Sequence, residues 1–388
     1  MNRLGMNMER VRSQNRALIL DYINSHGPVS RKDIAAASGL TAASVTQITT
    51  KLLAEGSLKE IGRSSGTGAG RRKVLLDIDP ASAFCFAINI EPDETAFAIC
   101  DLKGRAVGED TGDPLARIIP TDKGSAPEDF ITRICRECRA LEKKMDETLR
   151  KRLECVSVGI TGLLDEQNAL SLHAYNVWDK PVDLGKLFSS GLGLPVIVEN
   201  NVDAFAAAVV MFGVDKTRED LLIIKWGPGV GSSIVIDNKI YKGRQGKAAE
   251  LGHYIVDLDG ELCSCGRRGC LETRVSRSAL NAIMPFTPET FYNCYSEADQ
   301  KTREKIDSAI RLFARCIVNA GTLLSPKRIV LAGKLFSIPM LRTMVIGACS
   351  NLDPTFNANR VVYTTLSSRE AYVGPAAVFT RMWLLGEK

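Results

Sequence analysis

The sequence lacks any apolar run that approaches the roughly 20 residues a membrane-spanning helix requires. Residues 1–16 are polar and charged, without the apolar stretch of a secretory signal, so we expect a cytoplasmic, reducing environment. Histidine is scarce, at 3 of 388 residues, whereas the 11 cysteines are an odd number. An odd set of thiols in a reducing compartment argues against a disulfide framework and leaves the cysteines for metal binding or for the core.

The length of 388 residues allows two or three separate cores. The formal net charge of +5 is unevenly distributed, since residues 1–75 carry 12 Lys and Arg against 5 Asp and Glu, and the rest carries 38 against 40. Clustered positive charge is typical of a surface that binds the phosphates of nucleic acid. The charge pattern therefore predicts a nucleic-acid module ahead of a near-neutral body.

Residues 18–56 have the pattern of a helix-turn-helix. Ser30 and Asp33 form the capping-box signature of a helix over 31–38, and Thr41 caps a further helix that ends near Gly56. The inward-facing residues predicted for the first and third helices are Leu18, Ile19, Tyr22, Ile23, Val45, Ile48 and Leu52. Two short helices joined by a glycine-containing turn are the helix-turn-helix arrangement.

The outward face of the third helix is predicted to enter a DNA major groove, because its residues are small or form hydrogen bonds. The predicted contacts on this helix are Thr41, Ala42, Ala43, Ser44, Thr46 and Gln47. Two short strands, 58–61 and 74–78, then flank a glycine-rich basic loop and predict a wing that contacts DNA through Arg63, Arg71, Arg72 and Lys73. The alternative is a small protein-binding helical module with a solvated loop.

The remaining residues predict α/β layers, because apolar strands alternate with helical stretches. The predicted strands are 84–90, 96–102, 156–160, 196–198, 221–226, 233–236 and 329–331, and the main helices are 126–150, 202–212, 302–324 and 369–385. Two strand pairs lie at similar positions about 137 residues apart, which hints at a duplicated, two-lobed architecture.

A metal centre is predicted within residues 253–270. His253, Cys263, Cys265 and Cys270 are the nitrogen and sulfur ligands that a tetrahedral structural zinc needs, and Gly266 and Gly269 allow the sharp turns between them. A disulfide, a redox motif or a set of buried thiols are the alternatives. The C-x-C-x4-C spacing does not match the C-x-x-C of redox motifs. The other eight cysteines are expected to be ordinary core or helix residues.

The motifs Glu250-Leu251-Gly252-His253 and 263–272 resemble the signature of the ROK family (repressors, open reading frames and sugar kinases), in its transcription-regulator branch. The resemblance covers nearly the whole chain. It implies a winged helix-turn-helix over 1–78 and a two-lobed actin-like domain. Lobe 1 would be 79–200, with a C-terminal helix over 368–388 packing back, and lobe 2 would be 201–367 with the zinc segment.

The resemblance also implies a sugar site. The positions that match the family's sugar-binding residues are Asn200, Asn201, Glu250, His253 and Glu272. The family's kinases have an aspartate base at the position of Asn201, and a carboxamide cannot take the proton of the attacking hydroxyl. Asp203 is expected on the following helix, pointing away. The first phosphate loop is replaced by residues 89–93, which lack its glycine and add carboxylates, and Gly227 to Gly231 is the least altered element of the ATP side.

These residues favour a ligand-responsive regulator, most simply a repressor, with a structural Zn²⁺. Its partners would be a palindromic operator in double-stranded DNA and a sugar or sugar phosphate, with a homodimer or homotetramer as the DNA-binding unit. The alternatives are an active ATP-dependent sugar kinase that carries a DNA-binding domain, and a regulator whose signal is a partner protein.

Overall fold

The N-terminal part of the computed structural model is a three-helix module with a small sheet. The structure describes residues 8–63, 73–213, 219–244, 246, 248–364, 366 and 369–386. The elements of this module are α1 (Met8–His26), β1 (Val29–Ser30), α2 (Arg31–Ser38), α3 (Ala42–Ala54), β2 (Leu58–Arg63) and β3 (Val74–Ile78). The strands form an antiparallel sheet in the order β1-β3-β2, which is the wing of a winged helix.

The predicted caps of this module are present. Ser30 and Asp33 form a reciprocal capping box at the start of α2, and Gly39 ends that helix with φ 68°. The Thr41 hydroxyl accepts from the Ser44 backbone N–H at the start of α3. Because these caps satisfy backbone groups that the helices leave free, the local sequence fixes where the two helices begin and end.

The buried stripe of α1 differs from the prediction. Ile19, Leu20 and Ile23 are fully buried, whereas Leu18 is 36% exposed. The prediction for Leu18 was wrong because α1 packs on three partners, α2, β3 and the C-terminal helix of the body, and its face with Leu20 lies in the shared buried cluster.

Lobe 1 is built on a five-stranded sheet. Its elements are β4 (Phe84–Ile90), β5 (Glu94–Asp101), β6 (Ala116–Pro120), α4 (Pro127–Glu142), α5 (Glu147–Arg150), β7 (Leu153–Ile160), β8 (Leu163–Asp165), β9 (Leu170–His173), β10 (Val182–Asp183), α6 (Leu184–Leu192) and β11 (Val196–Asn200). The sheet order is β11-β7-β4-β5-β6, and β8 to β10 form a separate small sheet. The helix predicted over 126–150 is two helices, α4 and α5. Helices α4 and α6 cover the outer face of the large sheet.

Lobe 2 repeats this plan. Its elements are α7 (Asn201–Phe212), β12 (Leu221–Trp226), β13 (Val230–Ile236), β14 (Lys239–Ile240), α8 (Glu272–Val275), α9 (Arg277–Ile283), α10 (Phe291–Glu297), α11 (Gln300–Leu324), β15 (Arg328–Ala332), α12 (Pro339–Leu352) and β16 (Val361–Tyr363). The C-terminal helix α13 (Val373–Leu385) packs back on the lobe 1 sheet, against β4, β7 and β11. The order β14-β13-β12-β15-β16 is that of the first sheet, since both have an antiparallel three-stranded meander followed by two parallel strands. The predicted duplication is therefore visible in the strand order.

Helices α7 and α13 lie between the two sheets. They pack on each other, α13 packs on β4 and β7, and α7 packs on β13. One continuous buried cluster joins the inner faces of both sheets, these helices and the interior of the winged helix. Among the described helices, none is both long enough and apolar enough to span a membrane.

Candidate functional site

Four side chains of the types that bind metals converge at one point of lobe 2. The ligand atoms of His253, Cys263, Cys265 and Cys270 all lie within 4.8 Å of one another. His253 Nδ1 is 3.5 Å from Cys263 Sγ, and Cys265 Sγ is 3.7 Å from Cys270 Sγ. A tetrahedral ion with Zn–S bonds of about 2.3 Å and Zn–N bonds of about 2.0–2.1 Å separates two sulfurs by about 3.8 Å, and sulfur from nitrogen by about 3.5 Å. The donor set and its spacing thus fit a metal ion.

The turn that delivers the last cysteine requires glycine. Gly269 has φ 68°, and a Cβ at this position would lie 1.5 Å from the Asp257 carbonyl oxygen. The Gly269 carbonyl in turn accepts from the Val256 N–H at 2.8 Å. This close backbone approach holds Cys270 opposite the short 3-10 helix that ends at His253.

The charges around the cluster favour metal binding at His253 and Cys265, whereas burial raises the pKa of Cys263 and raises that of Cys270 to about 12. Burial, aided by the Arg267 guanidinium, lowers the pKa of His253 to about 4, so the imidazole is neutral and can donate a lone pair. Burial opposes ionisation of Cys265, but hydrogen bonds from Arg267, Cys263 and Cys270 lower the pKa of its thiol. Lowering a thiol pKa favours the thiolate, which is the form that ligates.

The remaining eight cysteines belong to the fold. All are free thiols, and all except the half-buried Cys294 are buried. The predicted assignment of these residues to core and helix positions is confirmed.

A cleft of about 440 Å³ opens beside the metal cluster, lined from both lobes. The structure brings all five sequence-predicted ligand residues into its wall: Asn200, Asn201, Glu250, His253 and Glu272. They come from the end of β11, the start of α7, the segment around the 3-10 helix and the start of α8.

Two of these side chains are oriented by the junction of β11 and α7. Asn200 caps α7 by accepting from the Val202 N–H at 2.9 Å, and its Nδ2 donates to the Gly162 carbonyl at 3.3 Å. Asn201 Nδ2 donates to Glu91 Oε1 at 3.3 Å. Asn201 therefore presents a hydrogen-bond donor, not a base, to a carboxylate of lobe 1.

Glu272 is held against the glycine-rich turn that precedes β13. Its Oε2 accepts from the Val230 N–H at 3.2 Å and would lie 2.3 Å from a Cβ at position 229. Burial raises the pKa of Glu272 to about 6, and the neighbouring Glu250 adds to the rise. The absence of a side chain at Gly229 is thus explained by the Glu272 carboxylate that packs there.

Several lining residues were not predicted. Tyr175 meets the His253 ring edge-on, with ring centroids 5.1 Å apart. Asp203 also lines the cleft, where its Oδ1 accepts from the Ser233 hydroxyl at 2.6 Å, instead of pointing away. Glu91 pairs with Lys225, a residue 134 positions later. The carboxylate-rich run at 91–94 was a visible signal, but its partners lie too far along the chain for sequence spacing to identify.

The predicted DNA face is exposed in part. Thr41, Ala42, Ala43, Thr46 and Gln47 are exposed on α3. Ser44 is half-buried, and its hydroxyl accepts from that of Thr41 at 2.9 Å, while the Thr41 oxygen caps α3 by accepting from the Ser44 backbone N–H. Thr46 donates to the Ala42 carbonyl at 2.8 Å.

The wing residues are described less completely. Lys73 Nζ lies 3.1 Å from Asp33 Oδ1 at the start of α2. Arg63 is the last residue of β2, while Arg71 and Arg72 lie outside the described residues.

Comparison with known proteins identifies relatives of the whole chain. Residues 95–381 match the ROK family. The chain is 25% identical over 397 residues to the DNA-binding transcriptional dual regulator NagC of Escherichia coli K12, covering 98% of this chain and 95% of NagC. It is 26% identical over 272 residues to the xylose repressor of Bacillus subtilis 168, covering 70% of this chain and 67% of that repressor.

Solved structures share the fold. A ROK family transcriptional regulator, a homolog of the E. coli MLC protein, matches 97% of this chain and 100% of its own with a TM-score of 0.72 and 21% identity. A ROK family glucokinase from Streptomyces griseus, in complex with glucose and AMPPNP, matches 76% of this chain and 99% of its own with a TM-score of 0.60 and 24% identity. The predicted α/β fold, a winged helix-turn-helix followed by a two-lobed actin-like body, is confirmed. The chain belongs to the ROK family.

Proposed function

We propose that this protein is a sugar-responsive transcriptional regulator, acting as a repressor, that binds operator DNA through its winged helix and a sugar in the cleft. The observation that carries the proposal is that one rigid helix links the two sites. Asn201, the first residue of α7, lines the cleft, and the carbonyl of Met211 near its other end accepts from Asn24 Nδ2 of α1 at 3.3 Å. A helix of 12 residues spans about 18 Å.

The names of two relatives support the choice of ligand class. NagC and the xylose repressor are regulators, and related chains from other E. coli strains are N-acetylglucosamine repressors. In the cleft, amide and carboxylate groups stand side by side, and such groups form paired hydrogen bonds to neighbouring sugar hydroxyls.

The metal in this proposal is a structural Zn²⁺ bound by His253 and the three cysteines. When bound, the ion supplies a cross-link that fixes the segment between Glu250 and Glu272. Both carboxylates then keep their positions in the cleft wall without ligating the metal themselves.

The cleft is proposed to bind a sugar without phosphorylating it. Asn201 has no basic lone pair for the attacking hydroxyl, and losing a general base typically costs about 10²–10⁴ in rate. The described carboxylates close to Asn201 already have partners: Glu91 bonds to Asn201 and Lys225, and Asp203 Oδ1 accepts from Ser233.

The DNA-binding unit is proposed to be a homodimer or homotetramer on a palindromic operator in the cytoplasm. A single winged helix reads one half-site, and two-fold symmetry of the protein is matched by symmetry of the DNA. A sugar that binds one arrangement of the lobes better than another would shift the spacing of the two α3 helices.

The first experiment measures fluorescence anisotropy of the protein's own promoter region and of a scrambled duplex at physiological salt. We expect tight binding to the promoter alone. Loss of a bidentate base contact costs about 1–3 kcal/mol, so Gln47→Ala should weaken promoter binding about 5- to 150-fold. Gln167→Ala, an exposed position in lobe 1, is the matched control. Equal affinity for both duplexes would contradict the regulatory function.

The second experiment follows the thermal unfolding midpoint with glucose, N-acetylglucosamine, xylose and ATP, together with an assay for phosphorylated sugar. A sugar that binds the folded state raises the midpoint by mass action. We expect a rise with one sugar and no phosphorylated product. Sugar-dependent consumption of ATP would favour the active kinase. If no sugar shifts the midpoint while promoter binding is intact, the result would favour a partner protein as the signal.

A further inference from the structure

The turn at residues 91–94 joins the two lobes through three ion pairs. Glu91 pairs with Lys225, Asp93 with Arg277, and Glu94 with Lys334 at 2.5 Å. All three carboxylates belong to lobe 1, and all three cations belong to lobe 2. This turn is also the segment that stands where the family's kinases have their first phosphate loop.

The innermost pair is largely shielded from solvent and hydrogen-bonded. The side chains of Glu91 and Lys225 are 14% and 13% exposed. Glu91 Oε1 also accepts from Asn89 Nδ2 at 3.1 Å and from Asn201 Nδ2 at 3.3 Å. Although burial opposes ionisation, the Lys225 ammonium lowers the pKa of Glu91, and Glu91 in turn raises the pKa of Lys225. The pair is therefore charged at neutral pH.

The positively charged side chains of the described cleft wall all form ion pairs with this turn. Among the described lining residues, the lysines and arginines are Lys225, Arg277 and Lys334, the three that pair with residues 91–94. The same wall holds four further carboxylates: Asp203, Glu250, Glu272 and Glu370. An anion that entered this half of the cleft would meet an excess of negative charge, with each cation already neutralised.

We propose that the cleft excludes anionic ligands and takes an uncharged sugar, with Glu91 as the specificity-determining residue. This inference rests on the proposed sugar-sensing function and selects between the two ligand classes, sugar and sugar phosphate. A phosphate bound by Lys225 would have to share the ammonium with the Glu91 carboxylate, so two anions would be held close together in a site that is largely shielded from water. A neutral sugar meets no such repulsion.

The test uses the full-length protein and compares hexoses with their 6-phosphates, with inorganic phosphate as a separate probe. Binding is measured by calorimetry and by the thermal midpoint. In the wild type we expect each 6-phosphate to bind at least about tenfold more weakly than its parent sugar, and inorganic phosphate to give no saturable shift. Tenfold corresponds to about 1.4 kcal/mol.

Three variants locate the effect. Glu91→Gln removes the carboxylate that is hydrogen-bonded to Lys225. The variant should therefore show a saturable rise of the thermal midpoint with inorganic phosphate and a smaller difference in affinity between each sugar and its 6-phosphate. Glu91→Gln combined with Lys225→Met removes both charges and should gain nothing. Glu128→Gln, on the outer helix α4, repeats the loss of charge away from the cleft. If Glu91→Gln does not fold, Glu94→Gln frees Lys334 in its place.

The outcomes separate the two proposals. A wild type that binds a 6-phosphate as tightly as its parent sugar would overturn the inference, as would a Glu91→Gln protein that gains no affinity for phosphate. If no sugar binds but Glu91→Gln gains phosphate binding, sugar sensing fails while the exclusion of anions by Glu91 is supported.

Discussion

Substitution of two glycines in the metal segment would separate backbone strain from steric overlap. Gly266 and Gly269 both adopt the left-handed conformation, with φ 84° and 68°. At Gly266 an added Cβ meets nothing within 4 Å, whereas at Gly269 it would lie 1.5 Å from the Asp257 carbonyl oxygen. Both alanine variants therefore introduce backbone strain, and only Gly269→Ala adds steric overlap.

The expected magnitudes follow from these geometries. An alanine in the left-handed region loses about 1–2 kcal/mol, which is the whole effect expected for Gly266→Ala. Overpacking adds about 1–3 kcal/mol, so Gly269→Ala should lose about 2–5 kcal/mol in total. Because the backbone must move at the residue next to Cys270, Gly269→Ala should also bind zinc more weakly.

The measurement is denaturant unfolding of the zinc-loaded proteins, combined with competition for zinc against a chromophoric chelator. We expect Gly266→Ala to retain near-normal zinc affinity and Gly269→Ala to release the metal at lower chelator concentration. Equal losses of stability and equal zinc affinities in the two variants would refute the role given to the contact with Asp257.

Three further perturbations test other parts of the structure. Leu20→Ala should lower the free energy of unfolding in urea by about 2–5 kcal/mol, whereas Leu18→Ala should lower it by less than about 1 kcal/mol. A larger loss for Leu18→Ala would support the buried stripe first predicted for α1. Burial raises the pKa of Glu199 from 4.5 to about 7 despite its bond to Lys242, so the folded chain retains a proton that the unfolded chain releases. This contribution is full below about pH 4.5 and is lost as the pH rises to about 7; the thermal midpoint should fall across that window, and by less in Glu199→Gln than in the wild type. Removing the metal with a chelator should lower the midpoint and expose residues 250–272 to protease, and re-added zinc should reverse both changes; a midpoint indifferent to chelator would argue against a structural ion.

Much of the fold could be predicted from local patterns. The bounds of β4, β12 and α2 agree with the prediction, because alternation, apolar runs and capping boxes are properties of neighbouring residues. The convergence of the four candidate metal ligands was also predictable, since they lie within 18 residues of one another in the sequence. The start of β13 was placed three residues late, at 233 instead of Val230, because the glycine-rich turn before it is shorter than its composition indicates.

Features that depend on distant packing could not be predicted. The choice between Leu18 and Leu20 depends on the elements that pack on α1, and one of them, α13, lies more than 350 residues later in the chain. The ion pairs of the 91–94 turn and the approach of Glu272 to Gly229 join segments that only the folded lobes bring together. The sequence therefore identified the charged side chains, whereas the proposed preference of the cleft for an uncharged ligand could be inferred only from where the folded lobes place them.

The helices shared between the two sheets limit how this architecture can be recombined. Because α13 packs on both the lobe 1 sheet and α1, the winged helix cannot be exchanged as an independent unit. A chimera that carries the winged helix of a relative would need an α1 surface that fits α13, because a mismatched buried interface is destabilising. Exchange of DNA specificity between relatives is therefore expected to succeed through the exposed residues of α3, with the remainder of the module left in place.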